Sequence, residues 1–213
     1  MVVLVLVVRL RDKMALTGSI ENGSELAEQK SRAKSISRSI TEESPNRLSV
    51  DDEEYMYHYI VDTGVIYIAA AEKGYPSRLA FAFLDSLKER FYASHGHQID
   101  DASRPYEYIR FAQDITKMLK EYRDPRSQRN LDLIEGELKE VRRVMVKNVQ
   151  DIIDREEQLA NISDMSSQLK SDAAVYADKA KQLATQTAWR QYAPFIAVAL
   201  VVLFLLILRW FLR

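Results

Sequence analysis

The sequence predicts an α+β domain, followed by a long helix with a heptad seam and then by a membrane-spanning helix. Three observations carry this reading. Hairpin-like β-rich segments alternate with amphipathic helices over residues 1–122, an apolar step of three and four residues runs from Leu131 to Leu183, and an uncharged run covers Ala193 to Leu208. The expected divisions are a folded domain over 1–122, a linker over 123–130, the heptad segment over 131–188 and the anchor over 193–212.

Composition narrows the function classes first. The 213 residues allow one ordinary core and an appendage. A net charge of −1 with 47% hydrophobic and 29% charged residues fits neither a nucleic-acid binder held by bulk positive charge nor an acidic solvated tail. The chain has no cysteine, which removes disulfide frameworks, thiolate metal sites and cysteine nucleophiles.

In chain order, Met1 to Val8 is a β-branched run ended by Arg9. It lacks the basic start and small-residue cleavage site of a signal peptide, so it is expected as a strand buried on both faces. Arg11-Asp12-Lys13 then turns into Met14-Ala15-Leu16-Thr17, the second arm of a hairpin. A helix capped by Ser24 follows, with Leu26, Ala33, Ile36 and Ile40 on one face, the opposite face solvated, and Ser44-Pro45 as its stop. Tyr55–Val61 and Val65–Ala71 read as a second hairpin turned by Asp62-Thr63-Gly64. Pro76 opens a helix whose Leu79, Phe83, Leu87 and Phe91 recur every four residues, with Gly96 beyond its end. A last helix over Tyr106–Tyr122 offers Ile109, Ala112, Ile115 and Leu119 to the same interior.

No residue set in this part reads as a catalyst or a metal site. His95 and His97 flank Gly96 without a carboxylate at ligand spacing, His58 alternates with tyrosines as a sheet residue would, and Asp51-Asp52-Glu53-Glu54 reads as a charged loop. Asn22-Gly23-Ser24 and Asn161-Ile162-Ser163 are glycosylation triplets that matter only in a lumenal chain.

The heptad seam is the most informative feature. It runs Leu131, Ile134, Leu138, Val141, Met145, Asn148, Ile152, Arg155, Leu159, Ile162, Ser166, Leu169, Ala173, Tyr176, Ala180, Leu183, sixteen positions of which thirteen are apolar. A continuous helix of that length spans roughly 80 Å, more than one small core can cover, so partner helices are expected and the segment should fold on binding. Arg155 stands eighth of the sixteen. It is either an exposed arginine where the coil is loose or a buried polar layer that sets register.

Ala193 to Leu208, sixteen uncharged residues, covers about 24 Å as a helix and approaches a bilayer core once Arg209 snorkels. Trp189, Tyr192 and Trp210 fall at interfacial depth. A span this short suits the thin membranes of the endoplasmic reticulum and early Golgi. Its place at the end of the chain predicts a single-pass tail anchor with the preceding residues in the cytosol.

Together, the MVVLVLVVRL opening, the segment Ser103-Arg104-Pro105-Tyr106-Glu107-Tyr108-Ile109-Arg110-Phe111 and the seam with Arg155 before an apolar anchor resemble the longin-domain R-SNAREs of the Sec twenty-two type, over nearly the whole chain. The resemblance implies a profilin-like longin domain, a five-stranded antiparallel sheet between one helix and two. It implies that Arg155 meets three glutamines from Qa, Qb and Qc SNARE helices, syntaxin-like chains in another bilayer, in ER–Golgi transport. It also implies a COPII coat and a SNARE-disassembly machinery as partners, with no cofactor and no catalysis. In such relatives the neighbourhood of Asn148-Val149-Gln150 folds back on the longin domain and is read by the coat; here Gln150 stands where a glutamate is usual, and Glu156-Glu157 follow Arg155 where a glycine and a glutamate are frequent. If the domain closes on the seam, Leu79, Phe83 and their neighbours are expected to offer the groove. The competing expectation is a tail-anchored tether or scaffold whose coil self-associates, disfavoured because copies of Arg155 would then meet without acceptors.

Overall fold

In the computed structural model, the described residues are 1–19, 26–135 and 144–157. They belong to one unit, Met1–Ala173. The expected membrane anchor, the Ser24 cap and the seam from Leu159 onward lie outside them, as do Leu138 and Val141. Among the described residues no helix is long and apolar enough to cross a membrane.

The strands are β1 (Val2–Arg9), β2 (Ala15–Gly18), β3 (Arg47–Asp51), β4 (Tyr55–Asp62), β5 (Val65–Glu72) and β6 (Met145–Asn148), in the sheet order β2-β1-β5-β4-β3-β6. The helices are α1 (Ala27–Ser39), α2 (Ser77–His95), α3 (Ala112–Glu121), α4 (Gln128–Glu135) and α5 (Val149–Glu157). The β1 run is central and apolar on both faces because helices cover both sides. Val5, Val7, Tyr67 and Ala69 face the α2 side with Leu79, Phe83, Leu87 and Phe91, while Tyr57 on the other side reaches the Gln29 carbonyl of α1.

The β4–β5 hairpin closes as expected, with Asp62 opposite Val65. Its two loop residues, Thr63 at φ 45° and Gly64 at φ 73°, are both left-handed, as a type I′ turn requires. The β1–β2 hairpin is also present, with Val7 opposite Thr17. At Gly18 a side chain would strike the Val5 carbonyl oxygen at 2.8 Å, so this close approach admits no Cβ without a backbone shift.

Three local expectations change. The last helix of the domain does not start at Tyr106: that residue has φ 57°, and the chain passes through a short 3-10 turn at Ile109–Phe111 before α3 begins. The Tyr106 N–H donates to Ala15 O at 2.7 Å and Tyr108 N–H to Leu16 O at 3.1 Å, so the Ser103–Phe111 segment covers the outer edge of β2 instead of extending a helix. Helix α1 ends at Ser39, because Ile40 is already extended, and does not reach Ser44-Pro45. Its outer side is also less open than the spacing suggests, since Lys34 and Ser35 are buried and α5 packs alongside α1.

The sheet differs most. Five antiparallel strands were expected, and six are present, the sixth pairing parallel with β3. The β3 edge is a row of unmet N–H and C=O groups, and the β-prone run Val144-Met145-Val146 fills it. The heptad segment is consequently not one uninterrupted helix here: α4, β6 and α5 divide it. A lone helix with an uncovered stripe gains little, whereas a strand on an open edge gains a full ladder of backbone bonds.

Candidate functional site

The site is the surface where the start of the heptad segment meets the folded domain. It has two contact regions, on opposite faces of the sheet.

On the β3 side, Leu48, Ser49, Val50 and Asp51 stand opposite Met145, Val146, Lys147 and Asn148. Asn148 Oδ1 then accepts the Gln150 N–H at 2.8 Å, an Asx turn that converts strand to helix and starts α5. Val149 and Ile152 of α5 are buried, and Ile152 lines a cavity of about 230 Å³ with Ile40, Leu48, Tyr59 and Lys147. Beside the turn, Asn148, Val149 and Gln150 line a second cavity with Arg32, Asp51, Asp52 and Lys73. Arg32 links Asp52 and Glu28, at 3.1 Å to each, and so ties α1 to the end of β3 where the segment turns.

On the other face, α4 lies against α2. Leu133 and Ile134 pack on the main core, and the Arg78 guanidinium donates to Ile134 O at 2.9 Å. At the start of α4, Asn130 is fully buried and its amide donates to Glu121 O at 3.2 Å and to Asp124 O at 2.7 Å. Arg129 stacks over the Tyr122 ring at 4.8 Å.

Seam positions are therefore divided in this conformation. Ile134 and Ile152 are held against the domain, Leu131 is partly open, and Met145 is half exposed in β6. Asn148 serves the strand-to-helix turn. Arg155 falls within the backbone of α5, but its side chain lies outside the described residues. The cluster that includes Leu79 and Phe83 does receive part of the seam: both side chains are fully buried, and Leu133 and Ile134 of α4 pack on that cluster. The β3 edge with the flank of α1 is a second docking surface that was not expected. Val149 lies in the Asn148-Val149-Gln150 neighbourhood that the resemblance expects to fold back on the domain, and it is buried there. Arg78, Asn130 and Arg32 carry no signal in the sequence.

The remaining candidates are structural. His58 is fully buried with Nδ1 at 2.8 Å from Ser49 Oγ and its ring edge-on to Phe81, and burial pushes its imidazole down to about 4. His95 stacks on Phe91, and burial lowers its basicity too. Among the described residues no group of three His, Asp or Glu side chains could hold a metal ion. Buried Arg9 pairs with Asp12 at 2.6 Å and donates to Ile99 O at 2.7 Å, which anchors the loop after α2.

Residues 16–115 match the Longin family, described as a regulated-SNARE-like domain, and residues 130–210 match the synaptobrevin family. The protein transport protein SEC22 of Yarrowia lipolytica is 36% identical over 208 residues, 97% of this chain and 98% of that protein. The 25.3 kDa vesicle transport protein SEC22-1 of Arabidopsis thaliana is 36% identical over 211 residues, 97% and 96% of the two chains. The vesicle-trafficking protein SEC22b-A of Danio rerio is 34% identical over 216 residues, the whole of both. The chain belongs to the Sec22 family of longin-domain R-SNAREs.

Proposed function

We propose that this chain drives fusion of transport vesicles with target membranes between the endoplasmic reticulum and the Golgi, by zippering with one Qa, one Qb and one Qc SNARE helix. The observation that carries the reading is the seam interrupted by the single guanidinium of Arg155, within the stretch that matches the synaptobrevin family. Burial of thirteen apolar layers supplies the driving force, and the Arg155 layer, with glutamine acceptors from three partners, sets register. The run over 193–212 roots the helix in its own bilayer with the N-terminal domain in the cytosol, and closure toward Leu183 draws the two bilayers together.

In this reading the longin domain regulates assembly by holding Ile134 and Ile152 away from partner helices. The COPII coat and the SNARE-disassembly machinery complete the partner set. The work is mechanical, and no bond in a substrate is made or broken. The test mixes the full chain in detergent micelles with Qa, Qb and Qc helices of the ER–Golgi route and records helicity and complex mass. An equimolar four-chain complex with a large helicity gain supports the proposal; self-association without such a complex rejects it.

A further inference from the structure

Helix α4 is the first part of the seam to be reached when zippering starts from the membrane-distal end, and one residue of the folded domain holds it at Ile134. Arg78 is the second residue of α2, where a cation opposes the helix dipole and where no acidic side chain offsets it. A locally unfavourable choice of this kind calls for a gain elsewhere. The gain is at α4, where the Arg78 guanidinium reaches across to donate to Ile134 O at 2.9 Å. It thus supplies, from another element, a charged donor to a main-chain carbonyl of the heptad segment.

We infer that Arg78 is a positioning residue that ties α4 to α2 through the Ile134 carbonyl, and that it sets how fast the seam can assemble past Ile134. In the zippered bundle Ile134 must turn from the domain core to the partner helices. That change requires α4 to leave α2, so the Arg78 bond breaks in every productive assembly. Asn130 holds the start of α4 through its two carbonyl contacts, so the segment is fixed both there and at seam residue Ile134, which packs on the core.

This inference rests on the proposed zippering for its consequence but not for the clamp itself, and the experiment separates the two. Arg78 lies outside the seam, so Arg78→Gln leaves every assembly layer intact. In the full chain, hydrogen exchange of the amides of 131–135 should rise about tenfold in Arg78→Gln, the weight of one bond to a charged donor. The amides of β6 should hold their protection, and assembly with the Qa, Qb and Qc helices should accelerate by a similar factor. Arg78→Lys, which keeps the charge without the planar fork, should fall between. Unchanged α4 exchange together with an unchanged assembly rate overturns the inference. If Arg78→Gln loosens β5 as well, Arg78→Lys decides by the same readouts. Faster α4 exchange in a chain that assembles with no glutamine-bearing helix supports the clamp and overturns the functional reading instead.

Discussion

Asp51 and Asn148 stand opposite one another at the end of a parallel ladder, one belonging to the folded domain and the other to the heptad seam. The same four residues, Met145–Asn148, form a strand against β3 here and, in the proposed four-chain bundle, would form a turn of helix. The strand satisfies the β3 edge; the proposed helix would satisfy the seam. In that proposal the two exclude one another, because each uses the same backbone N–H groups.

Val149 allows this competition to be biased from one side. It is buried at the docked turn yet lies off the seam, between Asn148 and Ile152. Val149→Asp places a carboxylate in that buried position at a cost of about 2 kcal/mol or more. Hydrogen exchange of the β6 amides should rise at least tenfold, with the β1–β5 ladder unchanged and assembly with partner helices faster. Equal exchange in the variant would mean that Val149 does not hold the segment.

His58 gives the domain a pH dependence with a definite sign. Its folded value is depressed to about 4 by burial, against about 6.5 for a solvated imidazole, so the unfolded chain binds the proton first as pH falls. The neutral ring contributes fully above about pH 6.5, and this is lost progressively down to about pH 4, where it amounts to roughly 3 kcal/mol. Thermal melts of the full chain should show a falling midpoint across that window. His58→Gln should flatten this part of the profile even if it lowers stability at neutral pH; an unchanged slope would assign the acid sensitivity to other groups.

The β4–β5 turn can be improved. Thr63 is β-branched at φ 45°, a region that such side chains enter with strain, and Gly64 already supplies the second left-handed position. Thr63→Asn creates the Asn-Gly pair that a type I′ turn prefers and should stabilise the chain by about 0.5–1 kcal/mol. A denaturant midpoint equal to or below that of the parent would show the threonine to be compensated in place.

Much of this architecture follows directly from local patterns. The stripe Leu79, Phe83, Leu87, Phe91 is entirely buried, and the turn at Asp62-Thr63-Gly64 lies where its residues require. What local pattern misses has a consistent cause. Strand β3 is a short run with a polar serine at its centre, and Ser49 is buried because it bonds His58 on the neighbouring strand, a partner nine residues away that no periodicity announces. Tyr106–Tyr122 carries helical spacing throughout, but backbone bonds to Ala15 and Leu16 hold its start in another conformation. Met145 and Asn148 keep perfect heptad register while sitting in or beside a strand, because an open sheet edge outweighs helical preference when the seam has no partner. Arg78 acts on a main-chain carbonyl 56 residues away and Asn130 on carbonyls at and just after the end of α3, contacts that follow no helix or strand period and so carry no signal.

Arg155 yields the last prediction. In the proposed bundle its guanidinium is surrounded by apolar layers and is stable only if three side-chain acceptors converge on it, so replacing it removes a cost as well as an interaction. Arg155→Leu should therefore leave the helicity gained on assembly nearly intact and change the midpoint of thermal dissociation little or even raise it. What should be lost is discrimination. With the arginine present, a partner set lacking one central glutamine leaves an uncompensated buried charge; with leucine, the wrong set is penalised far less. Competition between correct and glutamine-deficient Q-SNARE sets for the full chain measures this directly. The parent should favour the correct set by tenfold or more, the leucine variant by a few-fold at most, and equal discrimination by both would remove Arg155 from the role of register.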